Sequence, residues 1–382
     1  MFRLGAAVQN YDWGSLTAIP EFLGEPPTGQ PVAELWFGTH PLGPSMIETA
    51  DGPQALADRV GDLPFMLKVL APAQPLSIQV HPAKDLAAVG FAAEEAAGVP
   101  LLDVARDYKD PHHKPEMVYA LTPFETLVGL RPVGEAIQLL SGLDVPIAKS
   151  LLDRSGEGSL AMVEHILTAD VDRDAVDEFV AACAVRLESG ADIGRGYLTV
   201  VEAARVHPSD PGLVVALLLN RLTIEPGRSA FIGPGLIHAH LYGLCLEVMA
   251  SSDNVFRAGL TTKRVNAEGV VTSLGAADGG DVGIAPSPFG DATEVFEPAG
   301  VGVPPAGEAR GGLFALSVSR GSESRLPGAG DRILLCLDGA VQVVSEPGDH
   351  VSLVQGQAAF ASTDDGGLEL RGSGTMAQAY VP

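Results

Sequence analysis

From Val133 to about Asn220 the chain changes texture: glycine thins out and apolar residues take helical spacing. In the run Asp172–Leu187, Val176, Phe179, Val180, Cys183 and Leu187 fall at i, i+3, i+4, i+7 and i+11, one stripe of an amphipathic helix. Glu135–Leu140, Leu160–Leu167, Leu198–Ala204 and Gly212–Leu219 show the same habit, so about five short helices are predicted here. On both sides the sequence reads as short strands cut by Pro and Gly. Glu34–Gly38, Phe65–Leu70, Leu76–Val80 and Met117–Leu121 precede the helical stretch, and strand texture resumes at Arg221 and runs to about Arg264. With 45 glycines and 29 prolines in 382 residues, the expectation is a mainly β fold of barrel or jelly-roll type, interrupted by a helical insertion.

After Arg264 a Gly/Pro/Ala-rich stretch, Ala267–Gly312, reads as an irregular connection. Leu313–Pro382 reads as a last β block with alternating runs Arg332–Val344 and Val351–Ala361. A faint repeat links the β parts: Glu225–Ile232 lies over Val354–Ala361, matching Gly227 to Gly356, Ala230 to Ala359 and Phe231 to Phe360. That predicts two related β units. It also sets Gly367 in the place of His238, so the second unit lacks a histidine there. The expected division is 1–132 with 221–290 as a first β unit in two parts, 133–220 as the insertion, and 291–382 as the second β unit.

The net charge of −24 disfavours a nucleic-acid partner. An acidic chain can still bind an anion where positive charge is concentrated. The six lysines are suggestive: Lys68, Lys84, Lys109, Lys114 and Lys263 lie in or near the motif blocks below, and Lys149 alone lies apart. Cys183, Cys245 and Cys336 are far apart and odd in number, which suits a reducing compartment. The first residues lack an apolar signal-peptide core, and no stretch has the length of a membrane span. The expectation is a soluble, cytoplasmic monomer.

Four blocks carry chemistry. In Pro75–Pro82, Gln79 and His81 are two apart, which on a strand puts both on one face. In Asp110–Met117, His112, His113, Lys114 and Glu116 crowd between two prolines, and the apolar run from Met117 draws Glu116 inward. In Pro234–Leu241, His238 and His240 again share a face. In Leu246–Lys263, Glu247, Asp253, Asn254, Arg257 and Lys263 alternate with apolar spacers, and Arg257 and Lys263 suit a phosphate. Taken together, Gln79, His81, Glu116 and His238 offer an amide, two imidazoles and a carboxylate, a set for one divalent metal with an open position.

With these blocks in this order, the chain resembles the type I mannose-6-phosphate isomerases, over nearly its whole length. Asn10–Ser15 and Ala33–His40 belong to the same pattern. The resemblance implies a cupin fold: a catalytic barrel, a helical insertion and a degenerate C-terminal barrel. It implies one zinc ion held by Gln79, His81, Glu116 and His238, and a sugar-phosphate substrate isomerised through a cis-enediol. Arg257 matches the arginine proposed for proton transfer, Lys114 and His113 match residues with an acid/base or positioning role, and Glu247 and Asp253 match further acidic positions. On chemistry alone Glu247 is the first choice for the base, with Lys114 and His113 equally able to serve. Lys84, Lys263 and Ser77 are candidates for the phosphate, and Trp13 for a wall of the site. The sequence departs from the pattern at His240, where the family commonly has Tyr, which bears on substrate contacts. It departs more mildly at His112 and Thr262. Two other readings fit the blocks less well: an iron-dependent cupin oxygenase, which has no use for the Gln and the cations, and a sugar-binding cupin module, which has no use for Glu247, Asp253 and Arg257 beside a metal.

Overall fold

The structure is a computed structural model that describes residues 1–49, 52–275, 281–298, 313–321 and 323–382. Strand alternation sets its layers. In Phe65–Leu70, Leu67 and Val69 enter one apolar cluster while Leu70 enters another and Lys68 shares its side. The neighbouring strands keep the same phase, so a single sheet has two different buried faces.

Eight strands form the framework of a first unit. They are β1 (Phe65–Leu70), β2 (Ile78–Val80), β3 (Glu116–Ala120), β4 (Phe124–Leu130), β5 (Leu219–Ile224), β6 (Ser229–Ile232), β7 (His238–Tyr242) and β8 (Cys245–Ala250). One sheet runs β6-β3-β8-β1 and continues through Glu34–Phe37 and Ala7–Gln9, with Gly283–Ile284 on its other edge, seven strands in all. The facing five-stranded sheet runs β5-β4-β7-β2 and ends on Phe256–Gly259. A second unit uses β9 (Ala315–Arg320), β10 (Ser324–Arg325), β11 (Arg332–Asp338), β12 (Ala340–Ser345), β13 (His350–Val354), β14 (Ala358–Ala361), β15 (Leu368–Gly372) and β16 (Thr375–Tyr380). Its sheets run β14-β11-β16-β9 and β13-β12-β15-β10. Each strand thus has a counterpart eight places on, in the same order and with the same antiparallel neighbours. Both units are jelly-roll sandwiches of the cupin kind, with facing sheets that do not close into barrels.

The repeat is exact where it was first legible. Gly227 and Gly356 both have φ of 80°, a left-handed conformation that glycine adopts without strain. Their amides donate to the carbonyls of Ala120 and Cys336, each at 2.9 Å. One detail differs from the sequence alignment: His238 pairs with Val128, and the equivalent register pairs Leu368 with Ser345, so Leu368 rather than Gly367 takes its place.

The units differ between the fourth and fifth strands. Between β12 and β13 there is only a turn. Between β4 and β5 lie the helices Val133–Ser141, Pro146–Leu152, Ser159–Thr168, Arg173–Glu188, Gly196–Ala204 and Gly212–Leu217. Pro146–Leu152 was not foreseen, and Leu219 begins β5 rather than ending a helix. These helices bury Val176, Phe179 and Val215 against Leu127, Ile237 and Ala239 on the outer face of the five-stranded sheet. The layers are therefore helices, five-stranded sheet, seven-stranded sheet, then the second unit. The seven-stranded sheet meets the second unit through Leu67, Val69, Met117 and Val248 packed with Leu316, Val318, Ile333 and Ala377.

Three further elements differ from expectation. The strand Phe2–Gly5 pairs with β14 in the second unit's large sheet, at Phe2↔Phe360 and Leu4↔Ala358. Helix Lys84–Ala96 interrupts the expected run of strands; it buries only Ala87 fully, so it shows no apolar stripe. Its Gly90 is required by packing, since a Cβ there would lie 2.2 Å from the Tyr108 ring. The stretch from Ala267 contains helix Ala267–Ser273 and the short strands Gly283–Ile284, Ser287–Phe289 and Thr293–Phe296. The remainder of it, 276–280 and 299–312, lies outside the described residues. No described helix is long and apolar enough to cross a membrane.

Candidate active site

The space between the two sheets of the first unit is apolar at one end, where Val118, Phe124, Val128 and Ile232 pack together. At the other end alternation turns ionisable side chains inward. Lys68, Glu116 and Glu247 come from the seven-stranded sheet, and Gln79, His238, His240 and Arg257 from the five-stranded one. A cavity of about 530 Å³ opens here. A cleft of about 560 Å³ between the two units, lined by Tyr119, Gly227 and Arg320, holds none of the expected residues.

Gln79, His81, Glu116 and His238 meet at the floor of this cavity. His81 Nε2 lies 3.3 Å from Glu116 Oε1, His238 Nε2 lies 3.2 Å from Glu116 Oε2, and the Gln79 amide lies 3.3 Å from His238 Nε2. Both rings are oriented from behind. His81 Nδ1 donates to the Asn254 carbonyl at 2.7 Å, and His238 Nδ1 donates to the Leu236 carbonyl at 3.0 Å. With Nδ1 carrying the ring proton, each Nε2 turns a lone pair toward the carboxylate. Burial pushes the His81 imidazolium down to about 4, against the pull of Glu116, so no second ring proton relieves the contact. Accordingly His81 Nε2 and Glu116 Oε2 are buried without a hydrogen-bond partner. Lone pairs converging from two imidazoles and a carboxylate call for a cation, and the donor set suits zinc. The Gln79 amide can present its oxygen by a half-turn of its last torsion.

Glu116 is held well below the usual carboxylate range. Burial opposes this, but the Lys114 ammonium, the largest of the lowering influences, helps to outweigh it. Lys114 Nζ lies 3.0 Å from Glu116 Oε1. Next along the sheet, Glu247 places Oε1 3.3 Å from His240 Nε2 and Oε2 3.5 Å from Lys68 Nζ. Burial and Glu116 would raise its carboxyl; Lys68 and His240 bring it down on balance. Lys68 is raised despite its burial, because Glu34 at 3.7 Å and Glu247 flank it. Its ammonium also sits 5.0 Å from the centre of the Trp36 ring.

The opposite rim carries Ser77, Arg257 and Lys263, and Trp13 closes one side, stacked on Tyr11 at 5.5 Å. Burial lowers Arg257, and burial with Arg257 beside it lowers Lys263. Asp253 lines the cavity and takes a contact from His40 Nε2 at 3.3 Å. Of the residues expected from sequence, His81 and His238 lie behind the cavity lining against Glu116, and Lys84 and His113 are likewise not among those lining it. Lys84 is exposed at the start of its helix, and His113 is lowered by burial and by Lys84.

Several contributors were given no role from sequence, although Lys68 and Asn254 were named there. Glu34, Lys68 and Trp36 form the wall behind Glu247; a lysine at the centre of the apolar run Phe65–Leu70 was the available signal. Asn254 is fully buried and ties two blocks together. Its Nδ2 donates to the carbonyls of Asp110 and His112 at 2.7 and 2.8 Å, while its own carbonyl orients His81. The helical segment contributes His207, whose Nε2 meets the Pro75 carbonyl at 2.9 Å. It also contributes Asp210, which accepts from the amides of Leu260 and Thr261 at 3.1 and 3.0 Å and so fixes the turn before Lys263. Among its described residues the second unit has no such site: Arg332, Gln378, Ser317, Leu368 and Leu370 occupy the places of Glu116, Glu247, Lys68, His238 and His240. Its interior is filled by Leu334, Val343, Leu353 and Met376.

Comparison with known proteins bears on what this cavity does. Residues 1–133 match the family model of the phosphomannose isomerase type I catalytic domain. The mannose-6-phosphate isomerase of Salmonella typhimurium is 35% identical over 404 residues, covering 100% of this chain and 99% of that protein. The human mannose-6-phosphate isomerase is 33% identical over 316 residues, covering 70% of this chain and 71% of its own. Among solved structures, the Salmonella typhimurium mannose 6-phosphate isomerase bound to fructose 6-phosphate and zinc superposes with a TM-score of 0.86 at 34% identity, covering 100% of this chain and 99% of that one. A mannose 6-phosphate isomerase bound with zinc and yttrium gives the same TM-score, 0.86, at 33% identity, again covering 100% and 99%.

Proposed function

Because this chain belongs to the type I phosphomannose isomerase family, we infer that it interconverts mannose 6-phosphate and fructose 6-phosphate with a zinc ion, in the cavity between the sheets of its first unit. The observation that carries this is the convergence of His81, His238 and Glu116 on one point, with Glu116 lining a cavity that also holds Arg257 and Lys263.

The reaction moves a proton between C1 and C2 and passes through a cis-enediol, so it needs a base and positive charge beside the developing oxyanion. Gln79, His81, Glu116 and His238 would hold the zinc ion, which would supply Lewis-acid polarisation to the substrate. Glu247 is the base in this reading. It is buried, ionised and on the cavity wall, whereas the Lys114 ammonium is engaged with Glu116 and His113 stands off the cavity. Arg257 meets the enediolate charge. Lys263 and Ser77 hold the phosphate, with Lys84 a more distant contributor to the local positive field. Lys114 keeps Glu116 ionised and Asp253 orients polar groups at the entrance. Trp13 and His240 border the sugar.

The reading extends to a cytoplasmic monomer with no nucleic-acid or membrane partner, supported by the net charge of −24 and by three buried, unpaired cysteines. The folding units we assign are 1–132 with 221–290, 133–220 and 291–382.

The test is to strip the protein with a chelator and assay mannose 6-phosphate conversion with and without zinc, beside Glu116→Ala and Arg257→Ala. Activity that vanishes on stripping, returns with zinc and is lost in both variants supports the assignment. Failure of the zinc-loaded wild type to turn over this substrate overturns it.

A further inference from the structure

Beside the zinc ligands lies a second group of ligand-type atoms. Glu116, His240 and Glu247 are all buried, and one ligand atom from each lies within 4.8 Å of the others. We propose that Glu116, His240 and Glu247 form a second divalent-cation subsite, sharing Glu116 with the first and taking a first-row dication such as zinc, cobalt or manganese. This inference rests on the zinc reading above and adds a second ion to it.

Glu247 divides its oxygens. Oε2 faces the Lys68 ammonium, and Oε1 faces His240 Nε2. The same division occurs in Glu116, where Lys114 and His81 share Oε1 and His238 meets Oε2. Each carboxylate therefore carries a lysine on one side and an imidazole on another, and each oxygen has two lone pairs, so one Glu116 oxygen can serve two ions.

His240 has a choice of tautomer that His81 and His238 lack. Its Nδ1 lies 3.1 Å from Thr126 Oγ1, and the single Thr126 proton can go to the Ala239 carbonyl, also at 3.1 Å, or to Nδ1. When Thr126 donates to Nδ1, the ring donates from Nε2 to Glu247 and the pair closes without a metal. When Thr126 donates to Ala239, Nδ1 carries the ring proton. Nε2 then presents a lone pair, as the two zinc-ligand imidazoles do. A tyrosine at this position, the residue the family commonly has, offers a phenol in place of an imidazole and makes a poorer ligand.

Charge ranks the two subsites. Glu34, Glu116, Glu247 and Asp253 face Lys68 and Lys114, and one dication already balances that set. The second ion enters against it and binds about tenfold or more weakly than the first.

The experiment titrates chelator-stripped protein with zinc against a chromophoric chelator, and with cobalt by its visible absorption, for the wild type, His240→Phe and His240→Tyr. Two ions per chain in two steps for the wild type, and one for both variants, is the expected result. One ion in the wild type, or two in both variants, overturns the second subsite and leaves the zinc reading standing. No ion in the wild type overturns both.

Discussion

Glu247 of β8 stands directly across the antiparallel ladder from Lys68 of β1, its Oε2 3.5 Å from the Lys68 ammonium. Lys68 is in turn 3.7 Å from Glu34, so one buried cation serves two buried carboxylates. Removing it strands both. Lys68→Met is expected to destabilise the protein by about 3–5 kcal/mol, the usual cost of leaving a buried charge without its partner. Adding Glu34→Gln should recover part of that loss. Thermal melts of the single and double variants check it; equal melting points for wild type and Lys68→Met would exclude the ion-pair account.

Arg257 lies across from Gln79 in the sheet register and reaches the same cavity. Arg257→Lys keeps the charge and loses the planar fork. If Arg257 meets the enediolate, kcat/KM falls about 100-fold or more, while the zinc content after gel filtration stays at the wild-type value. Steady-state kinetics with metal analysis on the same sample separates a chemical role from damage to the metal centre.

Lys263 is lowered from the ordinary lysine value by burial and by Arg257 beside it. A lysine lowered in this way loses its proton at a less alkaline pH than a free one. If Lys263 holds the phosphate, the sign is fixed: phosphate binding is strong below the lowered value and weakens as pH rises through it. KM for mannose 6-phosphate should therefore climb on the alkaline side before the free-lysine range is reached. In Lys263→Arg, whose guanidinium stays protonated, the climb should disappear or move to higher pH.

Glu125 joins the insertion to the sheet. It accepts from Arg195 Nη1 at 2.7 Å, from Arg221 Nε at 2.7 Å and from the Thr223 hydroxyl. Its carboxyl is below the ordinary 4.5: burial opposes this, and these three donors prevail. A depressed carboxylate contributes stability that is present above its unfolded value and lost as pH falls through its folded value. The melting-temperature gap between wild type and Glu125→Gln should be widest near neutrality and narrow steadily below pH 4.5. A gap independent of pH would rule the network out as its source.

The layered β fold and its insertion were legible because two periodicities differ so plainly. Val176, Phe179 and Cys183 repeat at helical spacing, and Gln79 with His81 or His238 with His240 repeat at strand spacing. The meeting of Gln79, His81, Glu116 and His238 was legible for the same reason, since a polar side chain every second residue in an apolar strand has to face something. Helix Lys84–Ala96 was not, because it lies on the surface and has no stripe to betray it. Nor was the wall behind Glu247. Lys68, Glu34 and Trp36 each look ordinary alone, and their meeting depends on the pairing of Glu34–Phe37 with β1, a register that no local pattern encodes. Lys84 and His113, both expected in the site, are not among the residues that line the cavity. The position of Phe2–Gly5 was equally out of reach, since its partner strand is near the other end of the sequence.

That last pairing has a bearing on how the protein is made. Phe2–Gly5 sits between β14 and the strand Met46–Thr49, so it bridges residues synthesised early and late. On the ribosome it has no β14 to pair with until Ala358–Ala361 has emerged. During that interval the apolar face that Leu67, Met117 and Val248 present toward the second unit is also uncovered. Translation therefore passes through a long stage in which the first unit still lacks the neighbour that covers this face, the kind of transiently exposed apolar surface that invites misassembly.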